Sequence, residues 1–138
     1  MEPYKKYRDV YLNSVDEILV QDEKEYFVFV YWTICPHCIA AISDVKNYLD
    51  GNNPTKLYLL NFTNEDGLEK LKDTENIQNL DKRSFVEEYS KDSVGAKKLS
   101  DINYYYVPML LHIKDKAVYR CVVLEDNIGR YLKENEKD

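Results

Sequence analysis

Residues 26–32, YFVFVYW, form an apolar and aromatic run with no polar alternation. A strand with one wet face alternates apolar and polar side chains. A run that does not alternate has to be covered on both faces. The run therefore predicts a central strand with helical layers around it. Two residues further on come Cys35, Pro36, His37 and Cys38. Cys38, Ile42, Val45 and Leu49 then recur at steps of three and four, which is the apolar face of a helix. Gly51 closes that helix, at a place where a left-handed residue is commonly required. KLYLLNF, residues 56–62, reads as a second buried strand.

The remaining chain fits around this unit. Tyr4, Tyr7, Tyr11, Val15 and Ile18 share the spacing of an amphipathic helix over residues 4–19. Residues 63–98 are polar, with scattered apolar pairs, and predict a helical insertion of two or three short helices. YYYVPMLLHI (104–113) and AVYRCVVL (117–124) are strands joined by the short turn KDK, so they form a hairpin. Ile128, Tyr131 and Leu132 mark a closing helix. A strand–helix–strand crossover implies parallel pairing and a hairpin implies antiparallel pairing. The expected fold is α/β, a mixed sheet of about four strands with helices on both faces. At 138 residues the chain is expected to form one domain, 1–138.

The net charge of −6 argues against a nucleic-acid surface, which needs clustered Lys and Arg. Lys5, Lys6 and Arg8 read as a solvated face. No run reaches the length of a transmembrane helix. The first twenty residues lack an apolar signal core. As the chain stands, the expected location is cytoplasmic, or extracytoplasmic if a leader or anchor has been removed.

The chemistry rests on Cys35 and Cys38. A structural zinc site needs a second ligand pair, and only Cys121, His37 and His112 remain. His37 lies inside the motif, and Cys121 and His112 lie on facing strands of one hairpin, so no metal site is expected. A structural disulfide would close so short a loop that it stabilises little. Exchange chemistry suits the position better. Pro36 is favoured at the first helical position, which makes Cys35 the N-cap, beside unpaired N–H groups and the positive end of the helix dipole. That setting favours a thiolate at Cys35. Cys38, one turn on, points toward the core as the shielded resolving thiol. His37 stands where its N–H can reach the Cys35 sulfur. Cys121 reads as a buried core cysteine.

Taken together, the strand, Cys35-Pro36-His37-Cys38, the helix, the second strand, the late Val107-Pro108 and the hairpin resemble the thioredoxin superfamily. The motif is similar to the C-P-H-C of DsbA-type disulfide oxidases. Val107-Pro108 sits where that superfamily carries a cis-proline beside the dithiol. The resemblance implies that Val107 and Pro108 dock an extended substrate segment, with Tyr106 and Trp32 beside them. Two departures stand out: Phe29 replaces the acidic residue found six positions before the first cysteine, and Tyr106 replaces a glycine. The resemblance implies a thiol–disulfide oxidoreductase that acts on cysteine-containing proteins or peptides. Its redox centre would be the Cys35–Cys38 pair, without further cofactor, and an upstream redox enzyme would recharge it. The alternative is an accessory or interaction protein of the same fold, for example in peptide or bacteriocin export, with little general redox activity.

Overall fold

The apolar run becomes β1 (Glu25–Tyr31), in which Phe27, Val28, Phe29 and Val30 are all fully buried. Each such side chain contributes about 1.5–3 kcal/mol on burial, so this strand anchors the core. The structure, a computed structural model, describes residues 3–33, 35–62, 91–103 and 107–136. β2 (Lys56–Asn61) pairs parallel to β1, from Tyr26 opposite Lys56 to Tyr31 opposite Asn61. β3 (Met109–Lys114) runs antiparallel on the other side of β1, with Val30 opposite Met109. β4 (Ala117–Val123) is antiparallel to β3, with Val123 opposite Met109 and an irregularity between His112 and Ile113. The sheet order is β2-β1-β3-β4, a mixed four-stranded sheet as expected.

This topology fixes where a site can form. β1 and β2 end, β3 begins and β4 ends at one edge of the sheet. The segments that leave or enter there are therefore neighbours: residues 32–38 after β1, 107–108 before β3 and 124–125 after β4.

The helices are α1 (Pro36–Ala40), α2 (Ile42–Asp50) and α3 (Glu125–Glu134). Phe27 meets Tyr48 of α2 and Tyr131 of α3 edge-on, at ring-centre distances of 5.7 and 6.0 Å. Tyr26, on the opposite face of β1, donates its hydroxyl to the Ile18 carbonyl at 2.6 Å. Ile128 and Leu132 of α3 are buried and Tyr131 is half-buried, which is the stripe read from the sequence. The β3–β4 turn takes positive φ at both Asp115 (52°) and Lys116 (63°). Such a turn matches the strand twist in a two-residue hairpin.

Four sequence expectations are corrected. First, residues 4–19 do not form an amphipathic α-helix. They form 3-10 turns at Lys5–Val10 and Val15–Glu17, with Tyr7 itself non-helical. Between the turns the chain extends, and the Leu12 N–H donates to the Leu59 carbonyl at 2.8 Å. The edge of β2 offers the backbone a partner that a helix would forgo, and the tyrosine-rich stretch has little helical propensity to resist it. Second, the helix after Cys38 breaks at Ala41 (ψ −11°) into α1 and α2. Third, Gly51 is extended (φ −79°, ψ 159°) rather than left-handed. A Cβ there would come within 2.9 Å of the Asn53 side chain, so close approach, not backbone freedom, makes glycine suitable. Fourth, Cys121 is half-buried on β4 rather than fully buried in the core.

Most of the expected helical insertion, residues 63–90, lies outside the described residues. Its final stretch holds a 3-10 turn at Lys91–Ser93. From there the chain bonds to β4 through Gly95 N–H to Val118 O (2.7 Å) and Val118 N–H to Ala96 O (2.9 Å). Among the described residues, no helix is long and apolar enough to cross a membrane.

Candidate active site

Cys35 is the N-cap of α1 and Pro36 is its first residue, the arrangement read from the sequence. The Cys35 backbone is extended (φ −85°, ψ 122°), and its sulfur accepts the Cys38 N–H at 3.3 Å. One of the helix's unpaired N–H groups is thus aimed at the sulfur. Cys35 is half-buried, whereas Cys38 is only 2% exposed. The Trp32 N–H donates to the Cys38 sulfur at 3.4 Å. Burial pushes the Cys38 thiol well above the ordinary thiol range, outweighing the opposing Trp32 N–H. The two thiols are therefore unequal: each accepts a backbone N–H, but Cys35 is only half-buried whereas Cys38 is shielded, and burial opposes its ionised form.

The Val107–Pro108 bond is cis, and the Val107 carbonyl lies 3.8 Å from the Cys35 sulfur, 72 residues away in sequence. Val107 and Pro108 are buried and Trp32 is half-buried. Ile39, 51% exposed, presents an apolar side chain one residue past Cys38. Tyr106, together with Tyr104 and Tyr105, lies outside the described residues. Phe29 is fully buried and stacks on Tyr31 with ring centres 5.5 Å apart, so the departure from an acidic residue there leaves an aromatic layer in β1.

His37 is exposed, and its Nδ1 lies 3.0 Å from a carboxylate oxygen of Glu125. The sequence reading directed His37 to the Cys35 sulfur and did not single out Glu125. Glu125 is the first residue of α3 and follows Leu124, whose φ of 75° is rarely adopted by a side chain of that bulk. The available sequence signal was an acid directly after the last apolar strand, at the start of the closing helix. Nothing local connects that position to residue 37.

The inequality of the thiols has a direct chemical readout. In the reduced protein at mildly alkaline pH, iodoacetamide is expected to modify Cys35 at least about tenfold faster than Cys38, because the thiolate is the nucleophile and burial suppresses it at Cys38. Mass mapping of partially alkylated protein checks this. Equal rates would mean that the shielding is not maintained in solution.

No protein-family model and no curated protein matches the sequence. Solved structures do match. A thioredoxin from Malassezia sympodialis superposes with a TM-score of 0.52 and 11% identity, covering 91% of this chain and 88% of that one. A thioredoxin variant from Halobacterium salinarum gives a TM-score of 0.52 at 12% identity, with 94% and 91% covered. A candidate oxidoreductase described as having a thioredoxin fold gives 0.54 at 16% identity, covering 93% of each chain. With its mixed sheet, its strand order and these neighbours, the chain has a thioredoxin-like fold.

Proposed function

We propose that this protein is a thiol–disulfide oxidoreductase that works through a Cys35/Cys38 dithiol–disulfide cycle. The carrying observation is the pairing of a half-buried Cys35 sulfur, which accepts the Cys38 N–H, with a buried Cys38 whose thiol burial pushes well above its ordinary range. In the reductive direction, the Cys35 thiolate attacks a substrate disulfide and forms a mixed disulfide, releasing one substrate thiolate. Cys38 then attacks the Cys35 sulfur. The Cys35–Cys38 bond forms, the second substrate sulfur leaves as a thiolate and the Cys38 proton is released. The oxidative direction is the reverse. The pair itself is the redox centre. The Cys-Pro-His-Cys sequence favours a DsbA-type oxidant over a strong reductant, because stabilising the Cys35 thiolate stabilises the reduced form.

The substrates are cysteine-containing proteins or peptides, and a separate redox enzyme recharges the pair. Val107 and Pro108 form one wall of the docking surface by their place beside Cys35, and Trp32 contributes the other. The test is equilibration in glutathione buffers, with the intramolecular disulfide followed by mass. A reversible Cys35–Cys38 couple is expected, with a potential above about −270 mV, the thioredoxin value. Replacing Pro36-His37 by Gly-Pro should lower the potential by roughly 30 mV or more, which is about 1.4 kcal/mol for two electrons. A pair that forms no intramolecular disulfide would leave the chain an interaction protein of this fold.

A further inference from the structure

Within the cycle just proposed, Cys38 has to lose a proton at the moment it attacks the mixed disulfide. Its thiol is 2% exposed. Glu25, the carboxylate of β1, pairs with His112 toward the far end of the strand, and residues 26–32 carry none. Burial is the main influence on the Cys38 thiol, and among the described residues Cys35, which caps α1, and Glu125, the first residue of α3, oppose its ionised form as well. The segment after β1 contributes the uncharged Trp32 N–H, and the segment before β3 contributes the Val107 carbonyl next to Cys35. Glu125 reaches this region because β4 ends where β1 ends, and it pairs at 3.0 Å with the side chain directly preceding Cys38.

We propose that Glu125 is a positioning residue that holds His37 beside the dithiol, so that the His37–Glu125 pair takes the Cys38 proton during resolution and returns it in the reverse reaction. A carboxylate in the first turn of a helix is favoured by the helix dipole alone. That accounts for an acid at this position. It does not account for a hydrogen-bonded pairing with a histidine 88 residues away inside the motif. The backbone points the same way. Leu124 adopts a φ of 75° immediately before Glu125, an unfavourable conformation located at the turn that delivers this carboxylate to the site. The proton balance is complete. Cys38–SH and the mixed disulfide give the Cys35–Cys38 disulfide and a substrate thiolate. The proton passes to the His37–Glu125 pair and on to the departing thiolate or water. No external oxidant is consumed in this step.

The inference rests on the dithiol reading, and one experiment separates the two. Reduced protein, with Cys121→Ser as the background of every variant and of the wild-type motif so that only the two motif thiols respond, is mixed with dithiobis(nitrobenzoate), an aromatic disulfide that releases a coloured thiolate. The first equivalent reports attack by Cys35 and the second reports resolution by Cys38. In Glu125→Gln the first phase is expected to match wild type within about twofold. The second should slow about tenfold near neutral pH and recover as pH rises, when hydroxide takes the proton instead. The Glu125→Gln/His37→Gln double variant should be no slower than the slower single variant. An unchanged second phase across pH in Glu125→Gln overturns the relay. So does additive slowing in the double variant, which would mean that Glu125 does not act through His37. Equal loss of both phases also overturns it, since the relay is called on only when Cys38 gives up its proton. A wild-type protein that releases only one equivalent refutes the dithiol cycle itself, and the relay falls with it.

Discussion

Cys35→Ser is expected to reduce disulfide exchange roughly a thousandfold, a barrier increase of about 4 kcal/mol. Cys38 cannot substitute for it, because its sulfur is 2% exposed and burial keeps the thiol protonated at neutral pH. An exchange reaction needs a sulfur that a substrate sulfur can approach in line, and within the motif Cys35 is the one that is only half-buried. Cys38→Ser should behave differently. It retains the attacking sulfur and its place beside the Val107 carbonyl, so mixed disulfides should form and accumulate instead of resolving. Insulin reduction with dithiothreitol measures the loss, and non-reducing gels of the two variants with a disulfide-bonded substrate measure the trapping. Activity in Cys35→Ser above about a tenth of wild type would sink the assignment of the nucleophile.

The second large effect lies at the other end of the sheet. His112 is 4% exposed, and each of its ring nitrogens has a partner: Nδ1 lies 2.7 Å from the Tyr131 hydroxyl and Nε2 lies 2.6 Å from a Glu25 carboxylate oxygen. Phe27 and Tyr119 meet the ring edge-on, at centre distances of 4.7 and 5.1 Å. The arrangement suits a neutral imidazole that donates from Nε2 and accepts at Nδ1. His112→Ala would open a cavity between β1, β3 and α3 and leave Tyr131 and Glu25 without their shared partner. The expected cost is about 3 kcal/mol of folding stability.

The same residue makes stability depend on pH. Burial holds the His112 imidazole below its ordinary range against the pull of Glu25, and Lys114 and Arg120 add to the lowering. In the unfolded chain the ring takes its proton near about pH 6.5, while the folded protein accepts it only at lower pH. The unfolded state therefore binds more protons as pH falls through that value. Stability is complete above it and declines toward the folded-state value. Urea midpoints at about pH 8 and about pH 5.5 should differ more in wild type than in His112→Ala. Equal differences would show that other groups carry the acid sensitivity.

Much of this molecule could be read locally. β1 and β2 were legible because an unbroken apolar run has to be covered on both faces, which a central strand between helical layers provides. The N-cap geometry at Cys35 and Pro36 follows from residue types at adjacent positions, as does the apolar stripe of α3 at Ile128, Tyr131 and Leu132. The N-terminal segment was misread for the opposite reason. Its tyrosines recur at helical spacing, but Tyr4 and Tyr7 are buried by tertiary packing, and the Tyr7 hydroxyl donates to Asp50 at the end of α2 at 2.6 Å. The break at Ala41 was equally silent, since no proline or glycine marks it.

By itself, then, the sequence determined where the strands and the closing helix lie, and that one cysteine caps a helix while the other faces inward. These are properties of period, propensity and neighbouring residues. Only the tertiary structure decided what stands around the dithiol. The Val107 carbonyl reaches Cys35 across 72 residues, and Glu125 reaches His37 across 88. Both come from strand direction: β3 starts and β4 ends beside the end of β1 because both pairings are antiparallel. His112 likewise gains Glu25 and Tyr131 only when β1, β3 and α3 pack together. Contacts of that kind are set by register and sheet order, which no short window of sequence contains.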